Sequence, residues 1–411
     1  MTKALQRAAG SLLVVGLAGT ELTALERAWL KLVRPAGVIL FKRNIADARQ
    51  TRALLDEATS LCGKHGFRCV DVEGGTVDRL RDALAAMPSA QRVARVSRFK
   101  RGTEALGIPR SPSARDLGHP VGKPSANFVF PTHSQKARIN GTQKASDLAR
   151  EHGELVGRAV LAFGFNTTLA PVLDLGWPAS AKVMGTRVAA ESAAGVVEYA
   201  HGFLVGLAAQ GVVGCGKHFP GLGGGALDSH LETPEIRRGW RELWNEDLVP
   251  YRELRDELPM VMVNHAAYPD TPGKDRPASV SLYWISNVLR KRIGYRGIVF
   301  SDDLEMGGIL KYLPMEEAAV GAVRAGTDLL EICHSRELIL RAYEALISEG
   351  ERSAVFRKLL LARAARNARM RAKIFAGGVP AALSARQFEA LRTKILRFGE
   401  TIARAQETLP A

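Results

Sequence analysis

The chain is poor in the features that mark several protein classes. Its 411 residues include only four cysteines, and Cys62, Cys69, Cys215 and Cys333 form no C-x-x-C pair. That excludes a disulfide scaffold and suits reduced, buried thiols in a reducing compartment. No apolar stretch runs to about 18 residues without a charge or a turn signal, so no membrane span is expected. Lys3 and Arg7 precede the apolar stretch 12–18 in the manner of a signal peptide. That stretch is short, however, and continues into G-L-A-G-T-E-L-T, which reads as a first strand, a turn and a helix start. Glycine is plentiful at 40 residues but has no collagen period, and 46% hydrophobic residues are too many for a disordered chain.

Acidic residues are also in deficit, 42 against 57 Lys and Arg, for a net charge of +15. Two segments carry the excess. Residues 92–150 hold 12 Lys or Arg against three acids, and residues 352–411 hold 13 against three, which leaves the rest of the chain mildly acidic. Basic flanks can bind nucleic acid or anionic lipid, but such runs are more often solvated surface, and no nucleic-acid partner is expected. The acidic remainder is the expected functional body.

Eight short apolar runs alternate with helical patterns along the chain, at 11–16, 37–41, 67–71, 166–174, 212–218, 260–265, 298–303 and 328–333. Helical periodicity falls at 46–60, 147–163, 190–210, 241–257, 282–293, 316–325 and 336–348. This is the signature of repeated βαβ units, and eight strands predict an α/β fold closed as a TIM (β/α)8 barrel. The expected organisation is one catalytic domain over 1–350 and a helical extension over 351–411, packed on or beside the barrel. Residues 92–143, rich in Arg, Lys, Ser, Pro and Gly, read as a long loop or disordered insertion after the third strand.

In such barrels the chemistry lies at the C-terminal ends of the strands. Polar residues end five of the runs here: Asp71, Asp174, Lys217 with His218, Asn264 with His265, and Asp302 with Asp303. In order along the chain stand D-V-E-G-G-T-V-D-R-L, G-K-H-F-P-G, D-S-H and G-Y-R-G-I-V-F-S-D-D-L-E-M. These segments resemble glycoside hydrolase family 3, and specifically its single-barrel β-N-acetylglucosaminidases. The likeness extends over about 10–92 and 146–350.

The resemblance implies that Asp302 is the nucleophile and that His230, held by Asp228, is the general acid and base. Asp71, Arg79, Arg187, Lys217 and His218 would then bind the sugar. The chemistry is consistent: a retaining glycosidase needs an ionised carboxylate at the anomeric carbon, and an imidazolium can protonate the leaving oxygen. Strand alternation is expected to turn Asp303 away from that side. The glycines of G-L-G-G-G at 221–225 read as a hinge between strand 5 and the D-S-H loop. Arg187 lies in M-G-T-R-V, where the family's Ser is replaced by Val188, and Val72, Thr76 and Leu222 are further departures bearing on fine specificity.

His265 either lines the pocket or is satisfied in the core, and Trp177, Tyr283 and Trp284 are expected to pack rather than stack on sugar. The resemblance implies hydrolysis of terminal β-linked N-acetylglucosamine from a glycan or muropeptide, in the cytoplasm, with no cofactor or metal, by a monomer or weak homo-oligomer. Alternatives left open are phosphorolysis, a family 3 β-glucosidase, a metal-dependent hydrolase, and a binding protein that uses the basic segments.

Overall fold

The computed structural model describes residues 3–104, 147–225 and 233–409. Its strands are β1 (Leu13–Gly16), β2 (Gly37–Leu40), β3 (Phe67–Val70), β4 (Thr167–Thr168), β5 (Cys215–Phe219), β6 (Met260–Val263), β7 (Ile298–Asp303) and β8 (Leu329–Ile332). All are parallel, in the hydrogen-bonded order β4-β3-β2-β1-β8-β7-β6-β5. The two edges of this ribbon meet through parallel bridges at Thr167–Val213 and Val172–Lys217, which close the predicted TIM barrel.

Alternation along the strands sorts the side chains. Val14, Ile39, Cys69, Met262, Phe300 and Leu329 fill the barrel interior, while Val15, Val38, Leu330 and Ile332 pack outward against helices. All four cysteines are buried free thiols. The fourth strand is much shorter than its apolar run. Only Thr167–Thr168 forms a regular ladder, since Pro171 has no N–H to give, but the chain stays bound to its neighbours beyond it: the Leu169 N–H donates to the Val70 carbonyl, and the Ala170 and Pro171 carbonyls accept from Cys215 and Lys217.

The reading of 92–143 as a loop from its first residue is corrected. A helix, α2 (Ala90–Glu104), occupies its start, after the N-terminal helix α1 (Lys3–Gly10). Val93, Ala94 and Val96 are buried in the main core, while Arg92, Arg95 and Arg98 point outward, so dense basic residues masked a narrow apolar stripe. α2 packs on α3 (Asp147–Ala162), on α4 (Ala193–Ala209) and on the last helix of the chain. The rest of the insertion, 105–146, lies outside the described residues.

The C-terminal segment forms α5 (Ala354–Ile374) and α6 (Ala385–Glu407). The Ser353 side chain accepts the Phe356 N–H to start α5, and Ser384 with Gln387 forms a capping box for α6. The basic charge of this segment is not simply solvated. Asp328, fully buried at the N-terminal end of β8, accepts from Arg290 of the barrel (2.6 Å) and from Arg363 (3.2 Å) and Arg366 (2.6 Å) of α5. Burial alone would push the Asp328 carboxyl up, but the three guanidiniums hold it below the usual carboxylate range. No described helix is long and apolar enough to cross a membrane.

Candidate active site

At the C-terminal mouth of the barrel is a cavity of about 300 Å³ whose wall includes Asp71, Glu73, Lys217, Asp302, Asp303 and Glu331. Arg79, Arg187 and His218 line it as well. β3 delivers Asp71 at its end. The chain then folds back as a small hairpin of Val72–Gly74 and Val77–Asp78, which sets Glu73 inward and brings Arg79 to 3.8 Å from Asp71. β5 carries Lys217 and His218, and β7 carries Asp302 and Asp303.

Charge is tightly paired on one wall. Lys217 Nζ donates to Asp71 Oδ1 at 2.9 Å and lies 2.7 Å from Glu73 Oε1. Arg187 donates from Nε and Nη2 to the two Glu73 oxygens at 2.8 and 2.9 Å. Burial would raise the Glu73 carboxyl, but Arg187 and Lys217 hold it well below the usual range. His218 Nδ1 lies 2.6 Å from Asp174 Oδ2, which fixes the ring, and its Nε2 is 3.4 Å from Arg187 Nη2.

Asp302 and Asp303 are adjacent in sequence and differ in ionisation. Burial works against an ionised Asp302, yet His218, His265, the Asp303 N–H and Lys217 together bring its carboxyl below the usual value. Asp303 is pushed up to about 7, mainly by burial and then by the charge of Glu305, against the opposing Glu305 N–H. Asp303 does not turn away from the cavity as alternation predicts: the pairing of β7 with β8 shifts register before the Asp303–Glu331 pair, and the Asp303 side chain lines the cavity, 3.8 Å from His334 Nε2. Asp303, Glu305 and His334 bring ligand-type atoms within 4.8 Å of one another. The Glu305 carboxylate already accepts the N–H groups of Cys333, His334 and Ser335, so it serves as a clasp for the loop after β8.

Of the eight site residues singled out from the sequence, Asp71, Arg79, Arg187, Lys217, His218 and Asp302 converge on this cavity. Asp228 and His230 lie outside the described residues. Of the described residues before that segment, Leu222 lines the cavity, and after it the Thr233 hydroxyl donates to the Gly308 carbonyl beyond β7. The glycines before it are not simply open hinge positions: a Cβ on Gly223 would stand 2.4 Å from the Leu175 carbonyl oxygen. His265 is a core residue, fully buried, its ring nitrogens 2.8 Å from Ser279 Oγ and 2.9 Å from the Asp303 carbonyl. Trp284 and Tyr283 pack in an aromatic cluster with Trp240, and Trp177 lies under the Arg238 guanidinium.

Sequence reasoning passed over Glu73, the pairing of Asp174 with His218, and Glu331. Glu73 stands two residues after Asp71, the spacing that keeps both on one face of an extended chain, and Glu331 interrupts the apolar run of the last strand.

A closed α/β barrel with a carboxylate-rich cavity at its strand ends defines an enzyme of the (β/α)8 class. Residues 124–366 match the glycosyl hydrolase family 3 N-terminal domain. A beta-hexosaminidase from Alkalilimnicola ehrlichii is 36% identical over 329 residues, 80% of this chain and 82% of that protein. One from Tolumonas auensis is 34% identical over 79% of this chain and 83% of its own length. Among solved structures, a family 3 beta-N-acetylglucosaminidase from Paenibacillus sp. superposes with a TM-score of 0.76 at 25% identity, covering 96% of this chain and 68% of that one. Native NagZ from Neisseria gonorrhoeae gives 0.66 at 25% identity, covering 94% and 97%. The chain belongs to glycosyl hydrolase family 3.

Proposed function

We propose that the protein is a retaining exo-β-N-acetylglucosaminidase that removes terminal β-linked N-acetylglucosamine, acting in the cytoplasm on muropeptides recovered from the cell wall. The catalytic unit is the barrel of residues 1–350, with 351–411 as its helical extension. The observation that carries the reading is Asp302: a buried carboxylate at the end of β7, kept ionised by its neighbours, in a cavity of sugar-binding size. The names of the relatives support the sugar.

The reaction follows from these groups. Asp302 attacks the anomeric carbon while His230 gives a proton to the departing oxygen, leaving a glycosyl ester on Asp302. His230 then takes a proton from water, which attacks the same carbon and releases the sugar with its configuration retained. Asp228 orients the imidazole and supports its charged form. Lys217 and Arg187, held by Asp71 and Glu73, make one wall rigid, so sugar hydroxyls meet preplaced partners. The test is hydrolysis of 4-nitrophenyl β-N-acetylglucosaminide with the released anomer followed by NMR, with and without phosphate. β-Configured N-acetylglucosamine released at a phosphate-independent rate is expected. Inverted sugar, or a sugar phosphate, would overturn the hydrolytic retaining reading.

A further inference from the structure

We propose that Glu331 is a substrate-binding residue, whose buried side-chain carboxyl hydrogen-bonds an oxygen substituent of the pyranose held beside Asp302. The proposal rests on the glycosidase reading of the cavity and adds a contact on the β8 side that the family motifs do not supply.

Glu331 pairs with Val14 of β1 on one side and with Asp303 of β7 on the other. It shares the inward parity of Leu329 and Cys333, whereas Leu330 and Ile332 face the helices. The Cys333 thiol lies beside it, the carboxylates of Asp71, Asp302 and Asp303 share its cavity wall, and only 3% of its surface is exposed. The Cys333 thiol donates to Oε1 at 3.2 Å, but Oε2 has no hydrogen-bond partner among the described residues. A Leu or Met would fill this volume without burying an unsatisfied oxygen, so the carboxyl costs the fold stability that packing alone does not return. Glu331 lines the cavity; Oε2 itself is covered by its neighbours, and a turn of the side chain would bring it to a ligand seated there.

The donor balance of the cavity says which kind of ligand atom. Asp71 and Asp302 are acceptors; of the cations, Lys217 is committed to Asp71 and Glu73 and Arg187 to Glu73, and Arg79 stands 3.8 Å from Asp71. Burial, with the nearby charges of Asp303, Asp71 and Asp302, raises the Glu331 carboxyl well above the usual carboxylate range, which favours the acid form, a donor on the side of the cavity that has acceptors. The matching ligand group is an oxygen acceptor on the sugar ring, either a hydroxyl or the acetamido carbonyl.

The test uses the full chain with 4-nitrophenyl β-N-acetylglucosaminide and β-glucoside, together with calorimetric binding of N-acetylglucosamine. Glu331→Leu should lower kcat/KM and sugar affinity by about tenfold or more, while Glu331→Gln, which keeps a donor of the same reach, stays within about threefold. A loss confined to the N-acetylglucosaminide identifies the acetamido carbonyl, and an equal loss on both glycosides identifies a hydroxyl. If Glu331→Leu does not fold, Glu331→Asp carries the test, since withdrawing the acid by one methylene should produce the same loss. Folded Leu or Asp variants with wild-type kcat/KM and affinity would overturn the proposal, as would a folded Gln variant no better than Leu. Failure of the glycosidase reading is distinct from these, since the wild type itself would then neither cleave the glycoside nor bind the sugar.

Discussion

Asp302 and Asp303 share a backbone and a cavity but not an ionisation state, and each makes its own prediction. Asp302→Ala should lower turnover by about three orders of magnitude or more while leaving the melting temperature within a few degrees. A 2-fluoro or 5-fluoro glycoside should leave an adduct on Asp302 by peptide mass spectrometry, and an adduct on Asp303 would refute the assignment. Asp303 sits at about 7 in the folded protein, against about 3.9 in an unfolded chain. Between those values the folded state keeps a proton that the unfolded state has lost, so the Asp303 contribution to stability falls as pH rises from about 4 to 7. Glu73, depressed by its cations, works in the opposite sense and loses its contribution as pH falls below the usual carboxylate range. Asp303→Asn should therefore flatten the melting temperature between pH 4 and 7, and an unchanged slope would show that another group sets it. His230→Ala should slow glycosides with poor leaving groups by about 10²- to 10⁴-fold, and should slow the first step of an activated aryl glycoside much less. Equal slowing of both would mean that His230 binds sugar uniformly rather than transferring a proton.

Among the elements, α2 separates what the sequence shows from what it hides. The strands were legible because each is a short apolar run, five of them with polar residues at the end, and β7 runs to Asp302 and Asp303 as its pattern requires. α2 was hidden because Val93, Ala94 and Val96 are its buried positions within a stretch dominated by arginines, and their burial depends on a helix some 300 residues later in the chain, α6. Asp303 was misplaced for a related reason, since the register between β7 and β8 shifts between the Leu329–Phe300 and Glu331–Asp303 pairs and strict alternation no longer holds there. Glu73 and Asp174 were missed because their roles come from partners on other strands, Lys217 and His218, which spacing alone does not reveal. If α2 is a packed element, Val93→Asp should cost about 3 kcal/mol or more in urea unfolding, through burial of an unpaired carboxylate. Arg92→Ala, on the exposed face, should change stability by about 0.5 kcal/mol or less. Equal, small effects of both would return the segment to the status of a loop.

At the scale of the molecule, the Asp328 cluster ties α5 to the end of the barrel opposite the cavity. Asp328→Ala leaves Arg290, Arg363 and Arg366 without their shared counter-charge and should cost about 3–5 kcal/mol in denaturant unfolding. Turnover at 25 °C should stay within about twofold, because the cluster stands at the N-terminal ends of the strands and the chemistry at the C-terminal ends. A large fall in kcat without loss of stability would contradict that separation. The closure of the barrel has a consequence in time. β1 needs β8 as a neighbour, and Val14 is paired with Glu331, so the first strand made waits for the last. At ribosomal speeds of about 5–20 residues per second, that wait is on the order of tens of seconds. Throughout it the first strands lack a closing edge, so the nascent chain passes through an open, adhesive half-barrel that molecular chaperones have reason to hold.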